Sequence, residues 1–158
     1  MAALPQVGTL EQILIRVAKG QPPESVDRVT VHADGLEGDH SRGIAARAKR
    51  QVTVIQAEHI PVIGALSGHP DLQATVLRRN LVVSGFPIHA LEGLRVRIGA
   101  EVVLEWTAVC DPCDRMEVAL GAGGRNAMTG MGGICCRVVV AGEIRAGDRV
   151  AAQAGSAE

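Results

Sequence analysis

Leu94-Arg-Val-Arg-Ile98, followed by Gly99-Ala100 and Glu101-Val-Val-Leu-Glu105, decides the fold class. Apolar and basic residues alternate with period two through the first run, as in a strand with one face buried and the other in water. Gly99-Ala100 then offers a tight turn into a second β-prone run, so a hairpin is predicted. Working outward, residues 9–17, 26–32, 51–56, 79–84, 134–141 and 148–152 also read as strands, most of them bounded by Gly, Pro or Asp. Many short strands with Gly-rich turns predict a mainly β fold, a closed or nearly closed mixed barrel. Helical pattern is scarce. Residues 57–66 read as one helix, and Asp114 with Glu117 three positions on has the spacing of a capping box ahead of Leu120. There is no internal repeat or low-complexity tract, and the first few residues and the tail 153–158 read as frayed.

The chain has the size of one domain and enough apolar residues, 47%, to bury a core. That core must be aliphatic, because Phe86 and Trp106 are the only aromatics. Without aromatic platforms a single-stranded nucleic-acid binder is not expected. Sixteen basic against seventeen acidic residues supply no net field for nucleic acid or an anionic membrane surface. The longest apolar run, residues 60–66, is too short to span a bilayer, and Glu11 interrupts the N-terminal stretch before a signal-peptide pattern forms. A cytoplasmic protein is expected. In that reducing setting four cysteines are read as catalytic, metal-binding or buried rather than disulfide-bonded.

Cys110-Asp-Pro-Cys113 follows a strand and precedes a helix. Backbone N–H groups at a helix start stabilise a thiolate and lower the thiol pKa from about 8.5, so Cys113 is a candidate nucleophile or soft-metal ligand. On residue type alone both cysteines could equally be buried small apolar groups. A thioredoxin-like reading needs a βαβ setting that this neighbourhood lacks, and the adjacent Cys135-Cys136 lacks the two-to-four-residue spacing of a zinc knuckle; in a strand the two point to opposite faces, so at most one faces the site. Gly35-Leu-Glu-Gly-Asp39-His40 is a tight loop ending in a carboxylate and an imidazole, able to hold a polar ligand or transfer a proton, or simply a turn in which Asp39 bonds its own backbone. Arg78-Arg79-Asn80 stands at a strand start, where guanidinium forks can grip phosphate or carboxylate and an amide can both donate and accept. The glycine-rich runs 121–126, which includes Arg125, and 130–133 could let backbone approach a ligand, but neither is a phosphate-binding or dinucleotide fingerprint. His59, His69 and His89 show no metal-ligand spacing.

Taken in order, Gly35-Leu-Glu-Gly-Asp39, Arg50-Gln-Val-Thr-Val-Ile55, Arg78-Arg-Asn-Leu-Val-Val-Ser-Gly85, Gly93-Leu-Arg-Val-Arg-Ile-Gly99, Pro112-Cys113, Gly132-Gly-Ile134 and Gly142-Glu-Ile-Arg-Ala-Gly-Asp148 closely resemble the MOSC family, named for the C-terminal domain of molybdenum cofactor sulfurase. The resemblance runs from about Gly8 to Val150. It implies a strand-rich barrel with a few short helices, and one cysteine that either ligates molybdenum or carries sulfur. The Pro-Cys pair carries that role to Cys113 rather than Cys110. Arg78 and Asn80 match residues beside the pterin end of the molybdenum cofactor, and Gly35, Gly38 and Asp39 match site-wall positions.

Two functions follow from the resemblance. In one, Cys113 thiolate binds the metal of the molybdenum cofactor, Arg78, Arg79 or Arg125 offset its phosphate, and Asp39, His40 and Asn80 orient the site, for two-electron reduction of an N-hydroxylated small molecule with an electron-transfer partner. In the other, Cys113 takes sulfane sulfur from a cysteine desulfurase as a persulfide and passes it on. A non-catalytic binding barrel is the third reading. Pyridoxal phosphate is not expected, because the chain has no room for the domain that binds it in the sulfurases.

Overall fold

The computed structural model describes residues 4–153. In chain order the elements are β1 (Val7–Ile15), β2 (Glu24–Val26), β3 (Arg28–His32), β4 (Gly35–Leu36), β5 (Val52–Gln56), α1 (His59–Ser67), α2 (Ala74–Leu77), β6 (Leu81–Ser84), β7 (Arg95–Ile98), β8 (Val102–Val109), α3 (Asp114–Leu120), α4 (Gly124–Ala127), β9 (Ile134–Val140), β10 (Gly142–Arg145) and β11 (Arg149–Gln153), with short 3-10 turns at Ala45–Arg47 and Ile88–Leu91.

The hairpin forms as read. β7 and β8 pair antiparallel with Ile98 opposite Val102 and Arg95 opposite Glu105. Val96 and Ile98 are buried while Arg97 faces water. Arg95 and Glu105 also pair across the strands, Nε to Oε2 at 3.2 Å. From this hairpin the sheet runs β11-β7-β8-β9-β5-β6-β1, and pairing of β1 with β11 closes it into a seven-stranded barrel. Every neighbouring pair is antiparallel except β5 with β6. A parallel pair needs a crossover, and α1 and α2 supply it.

Residues 26–32 form two strands rather than one. β2 pairs with β1 while β3 pairs with β10, and at the break Asp27 O accepts the N–H of Ala146. The three-stranded sheet β10-β3-β4 adds Val29, Val31, Leu36 and Ile144 to the barrel core.

The period-two pattern divides the strands between two cores. Val52, Val54, Leu81 and Val83 point into the barrel, whereas Ile55, Val82 and Leu14 point outward under the helices. Strand β1 keeps Leu10 and Ile13 on the same inner face, three positions apart, because a bulge between Leu10 and Gln12 resets its register. The outer core is completed by Ile60 and Ile63 of α1, Ala74 and Leu77 of α2, Met116 and Leu120 of α3, and Met128. Burial on both faces explains why β5 is an almost unbroken apolar run.

One capping expectation is corrected. Cys113, not Asp114, is the N-cap of α3, in extended conformation and without a side-chain cap. Glu117 instead accepts N–H groups from Gly123 and Arg125, at 2.9 and 3.0 Å. Gly121 and Gly123 both have positive φ, and the turn they make folds these donors back onto the helix. The glycine run expected as loop therefore contains α4. Residues 1–3 and 154–158, where fraying was expected, lie outside the described residues, and Gln153 ends β11. Among the described residues no helix is long and apolar enough to cross a membrane.

Candidate functional site

The wall of the site is built on a buried carboxylate. Gly38, at φ +84°, turns the chain after β4 so that Asp39 lies beneath the end of β1. The Asp39 carboxylate accepts hydrogen bonds from Arg16 N, Nε and Nη2, from Ser41 N and Oγ, and from Asn80 Nδ2, all between 2.7 and 3.3 Å. Burial pushes its pKa up, but the charge and hydrogen bonds of Arg16, with those of Ser41, outweigh this and hold it at about 2. Arg16 is thereby fixed in place although it is itself buried.

Asn80 ties the same wall to the barrel. It is fully buried; its Oδ1 accepts from Thr53 N and Oγ1, and its Nδ2 donates to Leu14 O as well as to Asp39. One amide side chain thus joins β1, β5 and the loop before β6.

Arg78 and Arg79 point from the end of α2. Arg78 is the only non-glycine residue with positive φ among the described residues, at +60°, where it caps α2 in a left-handed conformation. Its Nη1 donates to Gln21 O at 2.7 Å, while its Nη2 is buried without a partner. Arg79 is held by two backbone carbonyls, Nε on Gly132 O at 2.7 Å and Nη1 on Leu77 O at 3.0 Å.

These side chains converge with Arg47, Arg50 and Arg115 on an open cleft of about 200 Å³, bordered also by Asp111, Cys113 and Met116. Six arginines line it against one lining carboxylate, Asp111, and Asp39 behind the wall is already spent on Arg16. A chain of net charge −1 therefore carries a strongly cationic hollow, suited to an anion with several oxygens.

The four thiols lie in different surroundings. Cys113 is exposed at the cleft. Cys110 is buried, with Arg50 Nη2 donating to its Sγ at 3.6 Å. A hydrogen bond from Cys135, then the charges of Arg79 and Arg50, hold the Cys110 thiol below its ordinary range against the opposing effect of burial, and Cys135 is pushed up in turn. Cys136 faces the barrel interior, and burial pushes it to about 12. Gly132 and Gly133 let the chain pass between Cys110 and β5: a Cβ on Gly132 would strike Cys110 O, and one on Gly133 would strike Val54 O.

Of the residues singled out from sequence, Arg78, Arg79 and Cys113 share the cleft. Asp39 and Asn80 stand behind its wall, and Gly35 and Gly38 shape the loop that brings Asp39 there. His40 donates its backbone N–H to Arg16 O, and burial with the charge of Arg16 lowers its imidazole pKa. Arg125 lies outside the cleft lining, exposed on α4 and paired with Asp114 at 2.7 Å. Arg16, Arg47, Arg50, Arg115 and Asp111 were not singled out. The basic cluster Arg42, Arg47, Lys49 and Arg50, and an arginine directly after the apolar end of β1, were the available signals. Among the described residues no group of three or more His, Cys, Asp or Glu is placed to hold a metal.

The fold is similar to that of several solved structures. The YuaD protein from Bacillus subtilis superposes with a TM-score of 0.82 at 21% identity, over 94% of this chain and 97% of that one. YiiM from Geobacillus stearothermophilus gives 0.75 at 16%, over 93% and 75%, and YiiM from Escherichia coli gives 0.70 at 16%, over 97% and 72%. No curated protein matches the sequence. The sequence pattern of the MOSC domain matches residues 37–151. That match covers most of the chain and coincides with the closed mixed barrel and the ordered motif blocks, and the chain belongs to the MOSC domain family.

Proposed function

We propose that the arginine cleft and Cys113 together hold the molybdenum cofactor, with the Cys113 thiolate as protein ligand to the metal, in a protein that reduces N-hydroxylated or similarly oxidised small molecules by two electrons. The observation that carries this reading is an exposed thiol opening onto the same cleft as six arginines. The donor set fits such a group: a soft sulfur ligand suits the metal, and guanidinium forks suit a phosphate. Arg78 lines the same cleft, and its Nη2 has no hydrogen-bond partner within the protein.

When bound, the cofactor supplies a two-electron redox centre. The chain's own residues bind and orient it. Arg79 is held ready by Gly132 O and Leu77 O, and Arg16 by Asp39, so neither needs to be ordered when an anion arrives. Asp39 and Asn80 act from behind the wall by holding these arginines and the strands that carry them. The cleft, about 200 Å³, is below the roughly 300–1,000 Å³ of pockets that enclose a whole ligand, so it grips one end of the group. Electrons would come from a partner protein. Protein expressed in a host replete in cofactor should carry molybdenum and pterin near one per chain, lost in Cys113→Ser. Metal-free wild-type protein from that host would overturn the reading.

The exposure of Cys113, against the burial of the other three thiols, also favours a second reading. Its thiolate would attack the terminal sulfur of a persulfide on a desulfurase, taking that sulfur while the donor's own thiolate departs. Incubation with a cysteine desulfurase and cysteine should then add one reducible sulfur to Cys113, detected by mass spectrometry. Absence of the adduct, or an equal one in Cys113→Ala, rules this out.

A further inference from the structure

Cys110 is an ionisable group at the cleft wall to which the proposed function assigns no role. It follows β8 directly, is 1% exposed, and touches Arg50, which lines the cleft. Its backbone N–H donates to Gly133 O at 2.8 Å, so on the β8–β9 ladder it stands opposite Gly133 and diagonal to Cys135 on the same face. Arg79 is anchored on Gly132 O, next to that pairing. The groups facing the thiol are therefore Arg50 from the loop before β5, Arg79 from the loop before β6, and Cys135 from β9, with Cys136 behind in the barrel. Two guanidiniums and a thiol donor are the surroundings of a thiolate, and both guanidiniums belong to the anion cleft.

We infer that the Cys110 thiolate is an internal counter-charge of the arginine cleft, acting through Arg50 to set how strongly the cleft holds a dianion. The inference rests on reading the cleft as an anion site. It does not require molybdenum. With Cys110 ionised, part of the Arg50 charge is neutralised from inside. With Cys110 protonated, that charge acts fully on the cleft. Proton binding at Cys110 and anion binding are then coupled, and the coupling is reciprocal: the factor by which protonation strengthens the anion is the factor by which the anion strengthens protonation. One unit charge about 7 Å from a dianion, partly screened, gives a factor on the order of five.

Sulfate is the probe, because it does not itself titrate near neutral pH. In a Cys113→Ser background, which removes the exposed thiol's own absorbance, the thiolate band of Cys110 is followed by ultraviolet absorbance. Its midpoint is expected below the ordinary thiol value of about 8.5, and saturating sulfate should raise it by about 0.7 pH unit, the logarithm of that factor. By calorimetry at low ionic strength, sulfate affinity should fall about fivefold as pH rises through the Cys110 midpoint. Cys110→Ser should show no fall and hold sulfate at the tighter level throughout. Arg50→Gln leaves the thiol in place, so it tests the idea even where Cys110→Ser does not fold. It should raise the Cys110 midpoint and weaken the response to sulfate. Sulfate binding with an unmoved Cys110 midpoint, or a fall in affinity that persists in Cys110→Ser, overturns this inference alone. Failure of sulfate to bind at any pH overturns the anion-cleft reading with it.

Discussion

Replacing Asp39 by Asn tests whether the cleft wall hangs on one buried charge. The carboxylate is 3% exposed and its partner Arg16 10% exposed by side chain, so water screens little of their interaction. A folded pKa of about 2 against 3.8 for the free group means that ionisation of Asp39 adds about 2 kcal/mol of stability at neutral pH. Asn also leaves Arg16 buried without its counter-ion, which raises the expected loss to about 3–5 kcal/mol. The pH dependence has a definite sign. Because the folded pKa is depressed, the stabilisation is complete above the free value and is lost as pH falls from about 4 through about 2. Urea unfolding followed by far-ultraviolet circular dichroism, repeated down this range for both proteins, should show their difference shrinking by about 2 kcal/mol as acid is added. Replacing both partners, Arg16→Met with Asp39→Leu, should recover much of the loss, because no charge is then stranded. A difference below about 1 kcal/mol at neutral pH, within the range of surface substitutions, would refute the reasoning. So would a difference that ignores pH.

Native-state alkylation with iodoacetamide should modify Cys113 first and Cys110, Cys135 and Cys136 only on unfolding, since only Cys113 is exposed; peptide mass mapping reads the order. Asn80→Ala should cost about 3 kcal/mol in urea unfolding, because it strands buried groups of Thr53, Leu14 and Asp39. Gly133→Ala should destabilise by more than about 3 kcal/mol, since the residue has φ +88° and its Cβ would strike Val54 O. Gly123→Ala, in the left-handed region at φ +86° but with nothing near the added Cβ, should cost only about 1 kcal/mol by thermal unfolding.

Alternation through residues 94–105 sufficed for a hairpin, and short strands bounded by turn residues sufficed for a barrel. Side-chain period and turn chemistry are local properties, so they are written along the chain. The break at Asp27 was not visible in the same way. Residues on both sides suit a strand, and what divides them is the choice of partner, β1 for one half and β10 for the other. The capping of α3 was misread for a similar reason, since Glu117 answers to N–H groups six and eight positions ahead.

The same division holds at the site. Motif order alone selected Cys113, and its spacing from a helix start was a local fact that α3 bears out. Segment order also marked Arg78, Asp39 and Asn80, and a place at a strand start marked Arg79. Their separate duties, two arginines on the cleft and two polar groups behind it, depend on how loops from β1, β5 and β6 meet at one end of the barrel. Arg16, Arg47, Arg50 and Arg115 looked like ordinary charged residues because each is unremarkable in its own segment. Only closure of the barrel brings them together, and with them Cys110, whose surroundings come from three segments far apart in the chain. Charge density in a cleft is a property of distances through space, which sequence neighbours do not set.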